Sequence, residues 1–472
     1  MIYLRDMPLR RANYRVLAMA SLGQLLGSGL ATLVGVIIPL LEIGRHPELT
    51  PFQQGLTGCV SLIGIMTGSL IFGRLTDRYG YLFFYRLCPA LTMAAALPVL
   101  LMPHWGVLTA LLFVMGLGVG GEYCLDSDYI SELMPKRWKL FMVGVAKATS
   151  ALGSILFALV CFIMMRIWPV AHIWPWLFLT VIATTLLMLL LRIRAYESPA
   201  WLMSQGRVQE AETTVKKILG PDVEMMAPEE KTAADAQPPK SSMADMLKGK
   251  NLLRAIFCGI PWACEGLGVY GIGVFLPVLC MALGFEDALP AGADAIQHVM
   301  HVERSVELTT LINFFMLPGF VAGLLLMRRM SHVKMQTWGF IICALGLILL
   351  LMAYENHWNM MWAVAGFCIF ELFLNAGPHL ITFVLPSQIY PVSDRSQGSG
   401  LASCLGKVGA VLGVFFIPML LSAGGARLVL WVSIGVMLFG ALLTAVFGRL
   451  VMPAQSIRPK KADLIFLNTG RL

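Results

Sequence analysis

The chain has 472 residues, 58% of them apolar and 13% charged, with a mean hydropathy of +0.76. Soluble domains carry roughly 25% charged and about 45–50% apolar residues, so this composition excludes a soluble globular protein, a disordered chain, a collagen, a coiled coil and a small disulfide scaffold. The net charge of +8 is scattered in short clusters and marks no nucleic-acid surface, while the ten cysteines lie in apolar stretches without CxxC pairs or metal-like spacing; no disulfide framework, zinc site or other cofactor is expected.

A bilayer core of about 30 Å takes roughly 20 apolar residues per helix. About twelve segments meet that criterion, starting near Tyr14, Phe52, Tyr85, Val107, Leu140, Ile173, Leu252, Ser305, Met335, Trp358, Gln397 and Leu428. The first, Tyr14 to Leu41, exceeds the roughly 7–15 apolar residues of a leader and reads as a span. Backbone polar groups cannot stay unpaired in lipid, so runs of this length are helices. The prediction is an all-α membrane protein of twelve transmembrane helices in two pseudo-symmetric six-helix bundles. Basic residues set the orientation. With both termini inside, the inner loops hold Arg10, Arg11, Arg15, Arg74, Arg78, Lys136, Arg137, Lys139, Arg328, Arg329, Lys334 and Arg395 among others, and the outer loops only Arg45, Arg166, Arg304 and Arg427. No N-x-[ST] acceptor occurs and most outer loops are small, which fits a bacterial inner membrane.

A polar interruption from Glu197 to Lys250 divides the spans six and six. Its first part, Pro199 to Leu219, has helical spacing and stops at Gly220-Pro221; the rest, Asp222 to Lys240, reads as a flexible linker. The expected organisation is a bundle over 1–195, a cytoplasmic helix and linker over 196–250, a second bundle over 251–452 and a tail over 453–472. A faint repeat joins the halves: Ser131-x-x-x-Pro135-x-x-x-Lys139 after span four and Ser387-x-x-x-Pro391-x-x-x-Arg395 after span ten.

Four motifs carry a resemblance. Gly73-Arg-Leu-Thr-Asp77-Arg78-Tyr-Gly80 resembles G-x-L-x-D-R-x-G, and Glu197-Ser-Pro-Ala-Trp-Leu-Met-Ser-Gln-Gly206-Arg207 resembles E-S-P-R-W-L-x-x-x-G-R. Gly120-Gly121-Glu122-Tyr123 in span four resembles G-G-D-Y, and Gly406-Lys407-Val-Gly409-Ala410 in span eleven resembles G-K-x-G-A. The first two are similar to the major facilitator superfamily and its sugar-porter and metabolite-porter branches; the last two are similar to phosphate:proton symporters. The resemblance covers nearly the whole chain. It implies a secondary transporter working by alternating access, with a substrate site near the midplane between the halves. It also implies that Tyr123, Trp262, an acid on span seven, Tyr270 and Lys407 line that site. Three departures stand out. The span-seven acid is Glu265, one position early, with Gly266 in the family's place; span one, at Gly23-Gln24-Leu-Leu-Gly27-Ser28-Gly29, has no aspartate; and the arginine expected four residues before Gly116 is Leu112.

Ionisable groups in lipid are costly and mark function by default. Glu122 lies about 15 Å from the inner end of span four at 1.5 Å per residue, and Asp126 follows on the same face. Both are read as proton-coupling residues, a structural carboxylate bonded between helices being the alternative for Glu122. Lys147 either pairs with Asp126 or snorkels inward. Lys407, about 15 Å deep, either anchors an anion or holds a permanent pair with Glu265 or Glu371. Glu265, with Trp262 and Tyr270 about a turn away on either side, joins Tyr123 and Lys407 as the expected substrate contacts; Trp262 and Tyr270 also read as packing. Glu371, Asn375 and His379 share a stripe of span ten, beside a helix break at Gly377-Pro378, and His379 reads as a structural histidine more than a titrating one. Asp77, Arg78, Glu132, Arg137, Glu197, Arg207 and Arg395 are expected to form the inner latch. The Gly-rich run Gly116 to Gly121 lies inside a span with no preceding strand and is read as helix packing, not a nucleotide loop. No nucleophile, acid–base or metal constellation is present in the sequence, so no enzyme is expected. The expectation is a monomer, with a small polar and anionic metabolite, such as phosphate or an organic acid, and a proton as its partners. A sugar or organic-cation carrier, and a transport-inactive receptor of the same fold, are the competing readings.

Overall fold

The computed structural model describes residues 2–3, 8–43, 49–102, 104–135, 138–170, 172–224, 246–284, 293–327, 329–390 and 395–451. Span one is Arg11–Leu40, span two Pro51–Tyr79, span three Tyr81–Ala96 with a 3-10 extension Leu97–Leu101, span four Trp105–Leu133, span five Lys139–Ile167, and span six Leu179–Arg192 behind the turn Trp176–Phe178. Span seven is composite: Gly249–Gly266, a π-helical turn Leu267–Ile272, then Leu276–Ala282. Span eight is Ala295–Asn313 and Met316–Leu326, span nine His332–Glu355, and span ten Met360–Ala376 and Pro378–Ile389. Spans eleven and twelve share the run Arg395–Val451, which breaks where Gly424 and Gly425 leave helical geometry, Gly425 with φ +64°. Among the described residues, ten helices are long and apolar enough to cross a bilayer, Trp176–Arg192 is a shorter apolar one, and the break divides the last run. The twelve predicted passages are therefore present in a multi-pass integral membrane protein. Large apolar side chains such as Leu156, Leu187, Leu190, Leu345 and Phe439 stay exposed, as lipid-facing surfaces require.

One expectation needs correction. The linker predicted to be flexible from Asp222 begins as a strand: Val223–Glu224 pairs in parallel with Ile2–Tyr3, in register Ile2 with Val223 and Tyr3 with Glu224. Arg10 reinforces the junction by donating from Nη1 to the Leu219 carbonyl at 3.0 Å and to Asp222 Oδ1 at 2.7 Å. The last carbonyls of the Val208–Leu219 helix thereby gain a cation, the charge that a helix C-terminus favours. The Arg10 hydrogen bond also pulls the Asp222 carboxyl down to about 2, chiefly by holding its charged form.

The chain divides into two compact units. The first takes the described residues within Met1–Glu48, Leu56–Ala236 and Gly292–Glu303; the second takes those within Leu49–Gly55, Gln237–Ala291 and Arg304–Leu472. In the first, Val16, Ala20, Tyr85, Leu125, Tyr129, Met142, Val215 and Leu219 share one apolar core that joins the bundle to the helix after span six. Spans two and four touch through glycine. A methyl on Gly116 would overlap the Ser61 carbonyl, and one on Gly120 would overlap that of Ile65, so the Gly-rich run is a close helix contact. In the second unit, spans seven and eleven approach in the same way: a Cβ on Gly266 would lie 2.6 Å from the Gly406 carbonyl oxygen, and one on Gly409 would overlap the Ala263 backbone.

Candidate functional site

The first unit buries three charges together. Arg192, the last residue of span six, is fully buried, as are Glu122 and Asp126 of span four. Its Nη1 donates to Glu122 Oε1 at 2.8 Å and to the Tyr85 carbonyl at 2.9 Å; its Nη2 donates to Asp126 Oδ1 and to the Met19 carbonyl, at 3.3 and 3.2 Å. Glu122 Oε2 lies 2.7 Å from Nη2, an ion contact outside hydrogen-bond alignment. The guanidinium carbon sits 3.6 Å from the Tyr85 ring centre. Two carboxylates thus share one guanidinium, whose planar fork can serve both. Span one makes the room: a Cβ on Gly23 would overlap Asp126 Oδ2 and stand 2.9 Å from Glu122 Cβ, and one on Gly27 would overlap the Tyr123 hydroxyl.

The sequence reading missed Arg192, which ends an apolar segment and looks like any flanking cation. The available signal was the need of two acids one turn apart for a counter-charge. Asp126 takes Arg192 as its ion partner; Lys147 stands instead with its ammonium 5.9 Å from the centre of the Tyr123 ring. The midplane placement of Glu122 also shifts. Tyr85 is only about 6 Å of helical rise into span three, whereas Glu122 is about 16 Å from the end of span four. Span four therefore runs past its neighbours by about two turns on the side of Gly80, and the charge cluster lies nearer that side than the middle.

The second unit brings together the residues predicted on spans seven, ten and eleven. Lys407 Nζ donates to the Tyr270 hydroxyl at 3.1 Å and lies 4.6 Å from that ring's centre. Trp262 packs over Gly406 and meets Phe383 edge to face at 6.3 Å. Glu265 turns to His379, whose Nδ1 contacts its Oε1. Glu371 accepts from Asn375 Nδ2 at 3.2 Å. The two acids weighed as permanent partners of Lys407 thus bond to other side chains. Gly266, where the family's acid would stand, is pressed on the span-eleven backbone and has no space for a side chain. The π-helical turn, with its i→i+5 hydrogen bonds, follows at once and carries Tyr270, five residues after Glu265.

Of the expected latch residues, Arg78, Glu197 and Arg207 have described side chains. Glu197 Oε1 accepts from the backbone N–H groups of Tyr81, Leu82 and Ser198 at 2.6, 3.0 and 3.0 Å. It therefore caps the N-terminus of span three, where a carboxylate opposes the helix dipole. Gly80, at φ +100°, makes that turn, and a Cβ there would be 2.8 Å from Glu197 Oε2. The Gly-x-Leu-x-Asp-Arg-x-Gly and Glu-Ser-Pro motifs thus meet in one cap. Arg207 bonds Glu210 through Nε and Nη2, at 2.8 and 2.6 Å. The bond holds the Glu210 carboxyl below its ordinary range. Arg78 is exposed, 5.3 Å from the Tyr79 ring. The side chains of Asp77, Glu132 and Arg395, and the whole of Arg137, lie outside the described residues.

Comparison with known proteins matches this architecture. The profile of the sugar (and other) transporter family fits residues 42–449. The Escherichia coli inner membrane metabolite transport protein YgcS is 25% identical over 439 residues, covering 93% of this chain and 92% of its own. The niacin transporter NiaP of Acinetobacter baylyi is 22% identical over 471 residues, 98% and 99% of the two chains. Inorganic phosphate transporter 1-1 of Arabidopsis thaliana is 24% identical over 411 residues, 79% and 76%. The Escherichia coli xylose transporter XylE, partially occluded and inward open, shares the fold with a TM-score of 0.76 at 17% identity, over 93% of this chain and 98% of its own. Twelve passages, the Gly80–Glu197 cap and a family match that runs from residue 42, just past span one, into span twelve converge: the chain belongs to the sugar (and other) transporter family of the major facilitator superfamily and is a transporter of small molecules.

Proposed function

We propose that the protein is a proton-coupled secondary transporter of a small anionic metabolite, phosphate or an organic acid, in a bacterial inner membrane with both termini cytoplasmic. The observation that carries the anion is Lys407, a half-buried cation set against the hydroxyl and ring of Tyr270, with Trp262 on the same pair of helices. An ammonium binds phosphate or carboxylate as a point charge, and Tyr and Trp suit a site that is part apolar and part wet. Relatives named for phosphate and niacin transport agree with this class. The proton belongs to Glu122 and Asp126. With both ionised, their cluster with Arg192 keeps one net negative charge away from water, and a single shared proton removes it. The fold relative XylE is itself a proton:xylose symporter.

The test is a thermal-shift panel on the purified protein with phosphate, monocarboxylates, dicarboxylates, sugars and organic cations at two pH values. A ligand at about 100 times its Kd stabilises by about 2.7 kcal/mol. An anion-specific shift, lost in Lys407→Ala, supports the reading; a shift with sugars or cations alone overturns it. In proteoliposomes, Glu122→Gln should abolish accumulation driven by a pH gradient and spare exchange. Accumulation that survives removes Glu122 from the coupling step.

A further inference from the structure

We infer that Glu265 and His379 form a second proton-binding site, within the C-terminal unit, whose protonation leaves the charge of Lys407 to the substrate anion. The site itself stands on geometry alone; its link to the anion rests on the function proposed above. Both side chains are buried, and Nδ1 of His379 contacts Glu265 Oε1. Phe320 of span eight closes the other side, edge to face on the imidazole with ring centres 5.4 Å apart.

Each residue stands where its helix departs from regularity. Glu265 is two residues before the π-helical turn Leu267–Ile272, and His379 follows Gly377-Pro378, where Gly377 has φ −123° and ψ −94°. Gly266 cannot carry a side chain against span eleven, so the acid of this turn is directed to span ten instead. Other titratable groups on the surrounding helices include Cys404 and Lys407 on span eleven, Arg254, Cys258, Cys264 and Tyr270 on span seven, Cys368 and Glu371 on span ten and Cys343 on span nine. Met316–Leu326 of span eight contains none. Glu371 is two turns from His379, about 12 Å by helical rise, and bonds Asn375.

The charges then follow from the chemistry. An ionised carboxylate only accepts hydrogen bonds, so the neutral imidazole keeps its hydrogen on Nδ1 and takes an incoming proton on Nε2. Before that proton arrives, Glu265 and Lys407 cancel, and an anion meets a buried site without net charge. Once it has bound, imidazolium and carboxylate cancel, and the ammonium remains for the anion. Proton and anion binding thus favour each other, and linkage requires the effect to be reciprocal.

The experiment is a pH titration of the full-length protein in nanodiscs, with carbon-13 in its histidine rings and His379→Gln to assign the signal. The expected result is a His379 ring that changes protonation between about pH 5 and pH 8. In Glu265→Gln it should give up its proton about one pH unit or more lower, because the stabilising carboxylate is gone. A ring that keeps one state throughout, or one that Glu265→Gln leaves unmoved, overturns the site; the parent titration decides the first point even if the variant does not fold. Thermal shifts with lactate, benzoate and phosphate supply the second arm. The parent's shift should weaken as pH rises, and in His379→Gln that loss should become smaller for lactate and benzoate, which stay ionised, leaving the part that belongs to Glu122 and Asp126. A pH dependence unchanged in His379→Gln overturns the link and leaves the anion reading in place. A titrating ring with no anion shift keeps the proton site and removes the anion reading.

Discussion

Replacing Arg192 by methionine tests how the first unit holds its buried charge. Methionine keeps much of the stem and removes the guanidinium. Four hydrogen bonds go with it: to Glu122, Asp126 and the carbonyls of Tyr85 and Met19. Removing one partner of a buried ion pair costs about 3–5 kcal/mol, because the remaining charge is stranded. Here two carboxylates are stranded, so the upper part of that range applies. For a unit of this size each kcal/mol moves the melting temperature by about 2–4 °C, and with a loss of about 4 kcal/mol or more Arg192→Met should melt at least about 8 °C below the parent. The loss should be greater at pH 8 than at pH 5, since an unpaired carboxylate is tolerated in its protonated form. Adding Glu122→Gln and Asp126→Asn should recover a large part of it, the non-additivity expected of groups in one network. The assay is unfolding followed by tryptophan fluorescence across that pH range. A variant within about 1 °C of the parent, or a loss unchanged when both acids are neutralised, would refute the argument that Arg192 exists to balance Glu122 and Asp126.

Gly23→Ala should destabilise by about 1–3 kcal/mol, the cost of forcing a methyl into a filled space, because its Cβ overlaps Asp126 Oδ2; a melting temperature equal to the parent's would show that the volume is free. Glu197→Ala removes the acceptor for two backbone donors at the start of span three, Tyr81 and Leu82, and for the neighbouring Ser198 N–H. It should cost about 0.5–2 kcal/mol and speed amide exchange at Tyr81 and Leu82, while Glu197→Gln, which keeps an acceptor oxygen, should lose less; equal exchange in parent and Glu197→Ala would remove the cap. The Asp222 carboxyl, lowered to about 2 by the Arg10 bond, adds stability that is complete above its ordinary value and is lost as pH falls through about 2. Asp222→Asn should therefore show the same deficit at every pH from about 5 to 8, and a deficit that grows within that window would contradict the assignment.

How much of this was legible before the structure follows from what sequence encodes. Spans are composition, and composition is local, so twelve passages can be counted from hydropathy. Even the glycine break that splits the last run falls just before Leu428, where a new segment was counted. The Gly80 and Glu197 motifs could be recognised, yet their meeting in one cap depends on span three lying beside the segment after span six. Arg192 could not be told from Arg194, two residues on, which is exposed. Both end the same apolar run, and only the positions of spans one, three and four make one of them a buried counter-ion. The partners of Glu265 failed for the same reason. Spacing along span ten put His379 on a stripe with Glu371, but the choice between Lys407 and His379 as the partner of Glu265 is made by how spans seven, ten and eleven rotate. The strand at Val223 was hidden because its partner, Ile2–Tyr3, lies at the other end of the unit's sequence.

The missing acid of span one has a physical explanation in the same packing. Gly23 and Gly27 do more than thin the helix. The space a side chain would take at Gly23 holds the Asp126 carboxylate, and the space at Gly27 holds the Tyr123 hydroxyl. A carboxylate on span one at position 23 and one on span four at position 126 would compete for the same volume, beside the same guanidinium. Two neighbouring carboxylates in a dry site also resist double ionisation. The arrangements therefore exclude each other, and this chain has taken the second. The acid sits one helix over, four residues from Glu122, where a single arginine from span six reaches both. The change on span seven has the same form. Gly266 gives its side-chain space to the span-eleven backbone, and the acid at 265 goes to His379. On span seven a glycine stands where the resemblance places an acid, on span one the matching stretch holds Gly23 and Gly27 and no acid, and in both units the acid found nearby is held by a cation or an imidazole that the motif alone does not contain. Charge in this transporter is thus placed by helix contact distance first and by motif position second. A search for its buried charges by motif alignment alone would find no acid at either place and pass over Arg192 and His379.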